Sequence, residues 1–133
     1  MKRTVCLALL LVLILTGCGG NVSQVEIQEV PSQIYSEAEI DAAVDTAIRY
    51  FRQHFSGCTL TQIAYAGDEK AAAMEEWADQ AQVEAAIILV SSFDVDASGG
   101  DGSLNPNSTY TGWQWILVRS ANGTWEHRDH GYG

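Results

Sequence analysis

The sequence predicts an α+β domain in which a curved antiparallel sheet of about four strands packs on one N-terminal helix. Three observations lead to this fold class: an amphipathic helical pattern over residues 37–55, alternating apolar segments after it, and Asn122-Gly123 between the last two segments. Asn-Gly is a strong signal for a two-residue hairpin, so those two strands should be antiparallel. One helix laid across the sheet is the simplest arrangement that buries these apolar faces.

The first helix is predicted to begin at a capping box. Ser36 can accept a hydrogen bond from the amide of Glu39, whose carboxylate can reach back to the Ser36 amide. Gly57 is a natural stop after the helix. Apolar residues recur three or four positions apart along one face: Ile40, Val44, Ile48, Phe51 and Phe55.

Four strands and a second helix are predicted from the remaining residues. The strands cover 58–65, 83–96, 109–120 and 124 to about 130. The helix covers 69–81, and Asp68 is placed to cap it. The strand at 83–96 is apolar on both faces, which predicts a central position or cover from both sides.

The first eighteen residues have the pattern of a lipoprotein signal. Lys2 and Arg3 precede an apolar run at 5–15, and Leu15-Thr16-Gly17-Cys18 completes the segment. This order is typical of a secretory signal peptide. The last four residues resemble the bacterial lipobox, and the resemblance implies cleavage before Cys18 and diacylglycerol on its thiol. A transmembrane anchor is the alternative, but 11 apolar residues fall short of the ~20 that a spanning helix needs.

The chain is therefore divided into a signal peptide at 1–17, a lipidated tether at 18–35 and one domain at 36–133. Residues 19–32 lack a sustained apolar period, apart from a short extended stretch at 25–30. About fifteen extended residues would reach ~50 Å. The expected location is the outer face of a bacterial membrane, with membrane lipid as the partner of Cys18, because two or more acyl chains anchor stably.

The mature chain is expected to be strongly acidic. Without Lys2 and Arg3, five basic residues remain against seventeen acidic ones, and the net charge changes from −10 to −12. This charge argues against nucleic acid as a partner and favours cations or a basic partner. The 116 residues that follow the signal are enough for one domain.

Three stretches carry a family resemblance. They are residues 55–60, the Gly- and Asp-rich segment 93–110, and Trp113–Arg119 together with Asn122–Trp125 and Gly131-Tyr132. Together they resemble a group of small, uncharacterised secreted proteins and lipoproteins of Gram-positive bacteria. The resemblance, like the order of elements, implies an NTF2-like or cystatin-like fold. It brings no established catalytic residues.

A calcium loop is one candidate site. Asp94, Asp96 and Ser98 occupy alternating positions before Gly99, as oxygen ligands do at the start of a calcium-binding loop. Asp101 could add a ligand, but Asn105 stands where a bidentate Glu is needed. The alternative is a long hairpin loop whose Asp and Ser side chains cap their own backbone.

An aromatic wall is a second candidate. The strand pattern places Trp113, Trp115 and Trp125 on one face, and Tyr65 and Tyr110 could join them. Such a wall could line a pocket for a sugar, peptide or apolar ligand. The alternative, which we favour, is that these rings form the core under the helix.

The third candidate is His127 with Asp129, which share strand parity and could form a proton-shuttling dyad on an NTF2-like fold. His127 and His130 are three apart, so they should point to opposite faces and bind no common metal. Cys58 has no cysteine partner after cleavage, and we interpret it as a small buried apolar residue.

The sequence thus favours a membrane-tethered, non-enzymatic binding or interaction module without a cofactor. Its partner would be an extracellular protein, a wall component or a small molecule. An enzyme using His127 and Asp129 is one alternative. A calcium-dependent adhesion or regulatory module using the loop at 94–101 is the other.

Overall fold

The structure is a computed structural model that describes residues 19–120 and 123–132. The predicted signal peptide, Cys18 and Asn122 lie outside the described residues, and so do the predictions that rest on them. Among the described residues, no helix is long and apolar enough to cross a bilayer.

The described chain is an α+β domain built on a five-stranded sheet with strand order β1-β2-β3-β4-β5. The elements are β1 (Glu26–Gln28), α1 (Glu37–His54), β2 (Cys58–Tyr65), α2 (Asp68–Ala73), α3 (Glu75–Ala81), β3 (Ala85–Val95), β4 (Thr109–Arg119) and β5 (Trp125–Tyr132). The predicted α+β class, the long first helix and the central position of the strand at 83–96 are confirmed.

The sheet differs from the prediction in strand number and direction. The short extended stretch near residue 27 forms β1, which pairs in parallel with β2, so the sheet has five strands and is mixed. The other three pairs are antiparallel. Three residues are too short to give a clear alternating pattern, and only pairing with β2 makes this segment a strand.

The segment from Gly19 to Tyr35 packs on the domain. Gly20 N donates to Arg52 O at 2.9 Å, and Asn21 forms a parallel bridge with Thr59. Further along, Ser32 Oγ and Gln33 N donate to the Asp68 carboxylate at 2.6 and 2.8 Å.

The capping box of α1 is present as predicted. Glu39 N donates to Ser36 Oγ at 3.1 Å, and Ser36 N donates to Glu39 Oε1 at 2.9 Å. The other Glu39 oxygen forms an ion pair with Arg119 at the end of β4. This pairing fixes the first turn of α1 over the sheet.

The predicted helix at 69–81 is two short helices. Met74 separates them, and its amide donates to Ala71 O, three residues back, at 3.0 Å. Asp68 does not cap α2: the residue before it, Gly67, is the N-cap, and no side-chain cap is formed. The Asp68 carboxylate instead accepts from Ser32, Gln33 and the Tyr65 hydroxyl.

The main core lies between α1 and one face of the sheet. Its largest fully buried side chains include Phe51 of α1, Phe93 of β3 and Trp115 of β4. A smaller cluster on the opposite face joins Ala78 of α3 to Ala86 and Val118. Cover from both sides explains why β3 is apolar on both of its faces.

Candidate functional site

Two histidines of β5 meet at the edge of the core because the strand contains a β-bulge. His127 pairs with Leu117 and His130 with Trp115, and Arg128 is the extra residue between these pairs. Both β4 partners are buried core residues, so both histidines lie on the core side. His127 Nε2 is 2.9 Å from His130 Nδ1. The prediction that they point to opposite faces is wrong, because an extra residue resets strand alternation.

A cavity of about 250 Å³ opens beside this pair, at the C-terminal end of α1. It is lined by rings from α1, β4 and β5 and by polar groups of the β3–β4 loop. The residues that give it its chemistry are Tyr50, His54, Asp101, Ser103, Trp113 and His130. We call this cavity the histidine pocket.

Ring stacking holds the imidazoles in place. The Tyr50 ring stacks on His127 with 3.7 Å between centroids and 11° between planes. His54, one turn further along α1, lies 4.3 Å from the same tyrosine ring. On the other side, Trp113 stacks on His130 at 5.8 Å and 27°. Three elements therefore fix the pocket wall.

Burial lowers the pKa of both β5 histidines below their ordinary value of 6.5. For His127, repulsion from His130 lowers the pKa further, while Asp129 partly opposes the shift. For His130, Asp129 again opposes the effect of burial, and His54 adds to it. Both rings are therefore neutral near pH 7. In the contact between them, one ring donates and the other accepts.

The predicted dyad of His127 and Asp129 is not formed. Asp129 pairs with Ile116, whose neighbours along β4 both face the core, so the bulge turns Asp129 to the other side of the sheet. It is exposed, and its Oδ1 accepts from the backbone amide of His130 at 2.8 Å. A ring nitrogen of His127 faces His130 instead.

Three of the five predicted aromatic ligand-binding residues are core residues. Tyr65, Trp115 and Trp125 are buried. Each has an internal partner for its polar atom: Tyr65 donates to Asp68, Trp115 to Ser91 Oγ and Trp125 to the Glu39 carbonyl.

Trp113 and Tyr110 are half-buried at the open end of the core. A register shift near Gly112 keeps both on the core side, and the positive φ of that glycine suits such an irregularity. Tyr110 stacks on Phe93 at 5.2 Å and does not line the histidine pocket. Among the described residues, Trp113 Nε1 is a buried donor without a hydrogen-bond partner.

The calcium candidates do not converge. Asp94 accepts from Thr109 Oγ1 at 2.7 Å, and Asp96 accepts from the amide and hydroxyl of Ser98. Asp101 accepts in the same way from Ser103. These bonds lower the pKa of Asp96 and Asp101. In the part of the chain that the structure describes, no three His, Cys, Asp or Glu residues are grouped as metal ligands.

Cys58 lies buried at the start of β2. Burial raises the pKa of its thiol to about 11, and the nearby Asp96 and Asp101 carboxylates add to the shift. A thiol that stays protonated is a poor nucleophile, which agrees with its interpretation as a small apolar residue.

A larger groove of about 470 Å³ lies at the other end of α1, between this helix and the segment 27–35. It contains none of the histidines or tryptophans, and its charged lining residues are Glu29, Glu37 and Asp41. The histidine pocket, in contrast, combines aromatic faces with several hydrogen-bonding groups.

Sequence reasoning missed Tyr50 and His54 as members of this site. The available signal was their spacing of four on α1, which places them on one helix face. That face borders β5 only in the folded domain, where α1 crosses the sheet. Comparison of the chain with protein-family models, with curated proteins and with solved structures gave no match.

Proposed function

We propose that this protein is a lipid-anchored extracytoplasmic domain that binds a small polar ligand in the histidine pocket, without catalysis. The observation that carries the ligand proposal is the convergence of imidazole rings, aromatic side chains and polar loop groups on one small cavity. The lipobox ending at Cys18 supports the anchor. The helix laid across a sheet supports an NTF2-like or cystatin-like relationship as part of this proposal.

The size and chemistry of the pocket favour a single sugar ring over a larger apolar molecule. Its volume of about 250 Å³ is below the ~300–1,000 Å³ of sites for drug-sized ligands. Trp113 and Tyr50 contribute aromatic surface to the lining, while Asp101 and Ser103 offer hydrogen-bonding groups for hydroxyls. On the outer face of a bacterium, such a ligand would be a wall component.

A binding measurement with N-acetylglucosamine and its short oligomers tests the ligand proposal. We expect saturable quenching of tryptophan fluorescence, since Trp113 lines the pocket. His54→Ala removes an exposed lining residue and should weaken binding at least several-fold. Gln53→Ala, at the exposed neighbouring position outside the lining, is the matched control and should bind as the native chain does. No saturable response, or equal affinity in the two variants, would contradict the sugar-binding proposal.

A further inference from the structure

The first residues after the lipobox are held tightly against the C-terminal end of α1. Gly20 N donates to Arg52 O at 2.9 Å, and Asn21 N donates to Cys58 O at 2.8 Å. Asn21 O accepts from Leu60 N at 2.9 Å, which continues the pairing along the start of β2. The backbone is therefore held against the domain from Gly20 onward.

The close approach depends on two glycines. A Cβ atom on Gly19 would lie 1.8 Å from the Arg52 carbonyl oxygen, and φ of Gly19 is +95°. A Cβ atom on Gly20 would lie 2.7 Å from the Phe51 ring. Larger side chains would push the segment off the helix, so this Gly-Gly pair allows the backbone to lie directly on α1.

The contact fixes where the acyl chains would leave the domain. Cys18 is bonded to Gly19, and consecutive Cα atoms are about 3.8 Å apart. In the acylated chain the attachment point would be the residue next to Gly19, and Gly19 itself lies against the last turn of α1. A free tether of about fifteen residues, in contrast, would allow a distance of ~50 Å.

We propose that the C-terminal end of α1 faces the bilayer and that the domain lies directly on the lipid headgroups. This inference rests on the proposed lipidation of Cys18. The exposed residues that α1 and the turn after it contribute to this end are Arg52, Gln53, His54 and Ser56. The β3–β4 loop belongs to the same end, because Asp96 N donates to Gly57 O at 2.9 Å.

This orientation also places the histidine pocket at the membrane surface. Its rim includes His54 and Ser56, which lie within four residues of Arg52, where the anchor segment is bound. The headgroup layer on each side of the hydrocarbon core is about 5–8 Å thick. The pocket mouth is thus close to that layer.

Two labels on one helix test the orientation. Gln53→Cys and Glu37→Cys place a fluorophore at exposed positions near either end of α1, about 24 Å apart at 1.5 Å per residue. The acylated chain is reconstituted into vesicles containing headgroup spin-labelled phosphatidylcholine. Cys18 is blocked by its thioether, and burial shields the Cys58 thiol from maleimide. We expect quenching at position 53 to exceed that at 37 at least threefold.

A linker variant provides the matched control. Insertion of ten Gly/Ser residues between Cys18 and Gly19 gives a spacer with a typical length of ~15–20 Å. The protein should stay in the membrane while the difference between the two labels falls. An acylated native chain with equal quenching at both positions would overturn the orientation and leave the anchor intact. A chain whose mass spectrum shows no acyl groups would overturn the anchor, and the orientation with it.

Discussion

Phe51 connects the helix to the rest of the core. Its side chain has 0% exposure, and its ring contacts those of Phe55, Phe93 and Trp115 with centroid distances of 4.8, 5.6 and 6.3 Å. It also forms the surface on which Gly20 rests. One side chain thus joins α1, the sheet and the N-terminal segment.

Phe51→Ala is expected to lower the free energy of unfolding by about 3–5 kcal/mol, because truncation leaves a cavity in a filled core. Urea denaturation measures this change. Gln53→Ala, at an exposed position on the same helix, is the control and should change stability by less than ~0.5 kcal/mol. A loss below about 1 kcal/mol for Phe51→Ala would contradict the burial described above.

The paired histidines should make stability depend on pH. The folded-state pKa of His127 and of His130 is lowered, so the unfolded chain binds more protons once pH falls below the ordinary value of 6.5. Stability is therefore complete above that value and is lost as pH falls through 6.5 toward the lowered folded-state pKa values.

We expect the melting temperature to fall between pH 7 and pH 5, above the range in which carboxylates such as Asp68 become protonated. The variant His127→Gln/His130→Gln should show a flatter profile over the same interval. The two proteins are compared by the slope of melting temperature against pH, so a lower absolute stability of the variant does not affect the result. Identical slopes in the two proteins would contradict burial of the pair.

At the scale of elements, α1 depends on its first turn. The capping box satisfies two helix amides, and Glu39 also binds Arg119. Arg119 in turn lies over the Trp125 ring, 4.8 Å from its centroid. The start of the helix is thus joined to the last residue of β4 and the first residue of β5.

Ser36→Ala should reduce stability by about 1 kcal/mol, because the Glu39 amide loses its acceptor. Chemical denaturation followed by far-UV circular dichroism measures the loss. Ser36→Asp supplies another capping oxygen and should recover most of it. Equal destabilisation by both substitutions would show that the cap is not the cause.

We expect the β3–β4 loop not to bind calcium. Its Asp side chains accept hydrogen bonds from neighbouring Ser and Thr residues and do not converge. We expect the melting temperature to be unchanged by 5 mM calcium relative to magnesium, since a ligand that binds only the folded state must raise it. A shift of several degrees, abolished by Asp96→Asn, would restore the calcium hypothesis.

At the scale of the whole molecule, anchoring and folding should be separable. Cys18 precedes the described domain, whereas the buried residues of the main core begin at Ala43 within α1. In the proposed arrangement the lipid would contribute membrane affinity, and the packed sheet and helix would contribute the free energy of folding.

Cys18→Ser should therefore release the protein from the membrane fraction into the medium with an unchanged melting temperature. Fractionation and a thermal melt of the secreted chain measure both effects. Ser at this position keeps the local size and polarity, so a loss of anchoring reports on the thiol. A variant that stays membrane-bound would contradict the lipid anchor.

Much of the fold was determined by local sequence. The capping box, the apolar spacing on α1 and the two-sided apolar character of β3 are short-range patterns, and each has a direct structural consequence. The α+β class follows from them. The predicted Asp68 cap and the count of four strands failed where tertiary contacts intervened, at the Asp68 carboxylate and at β1.

The candidate site was decided by tertiary structure. Periodicity alone placed His127 and His130 on opposite faces, and a bulge at Arg128 reversed this. Tyr50 and His54 became part of the site because α1 crosses β5. Local propensities extend over a few residues, so they specify helices and strands. Register irregularities and packing between distant segments arise only in the complete fold, and these form the histidine pocket and hold residues 19–21 against α1 and the start of β2.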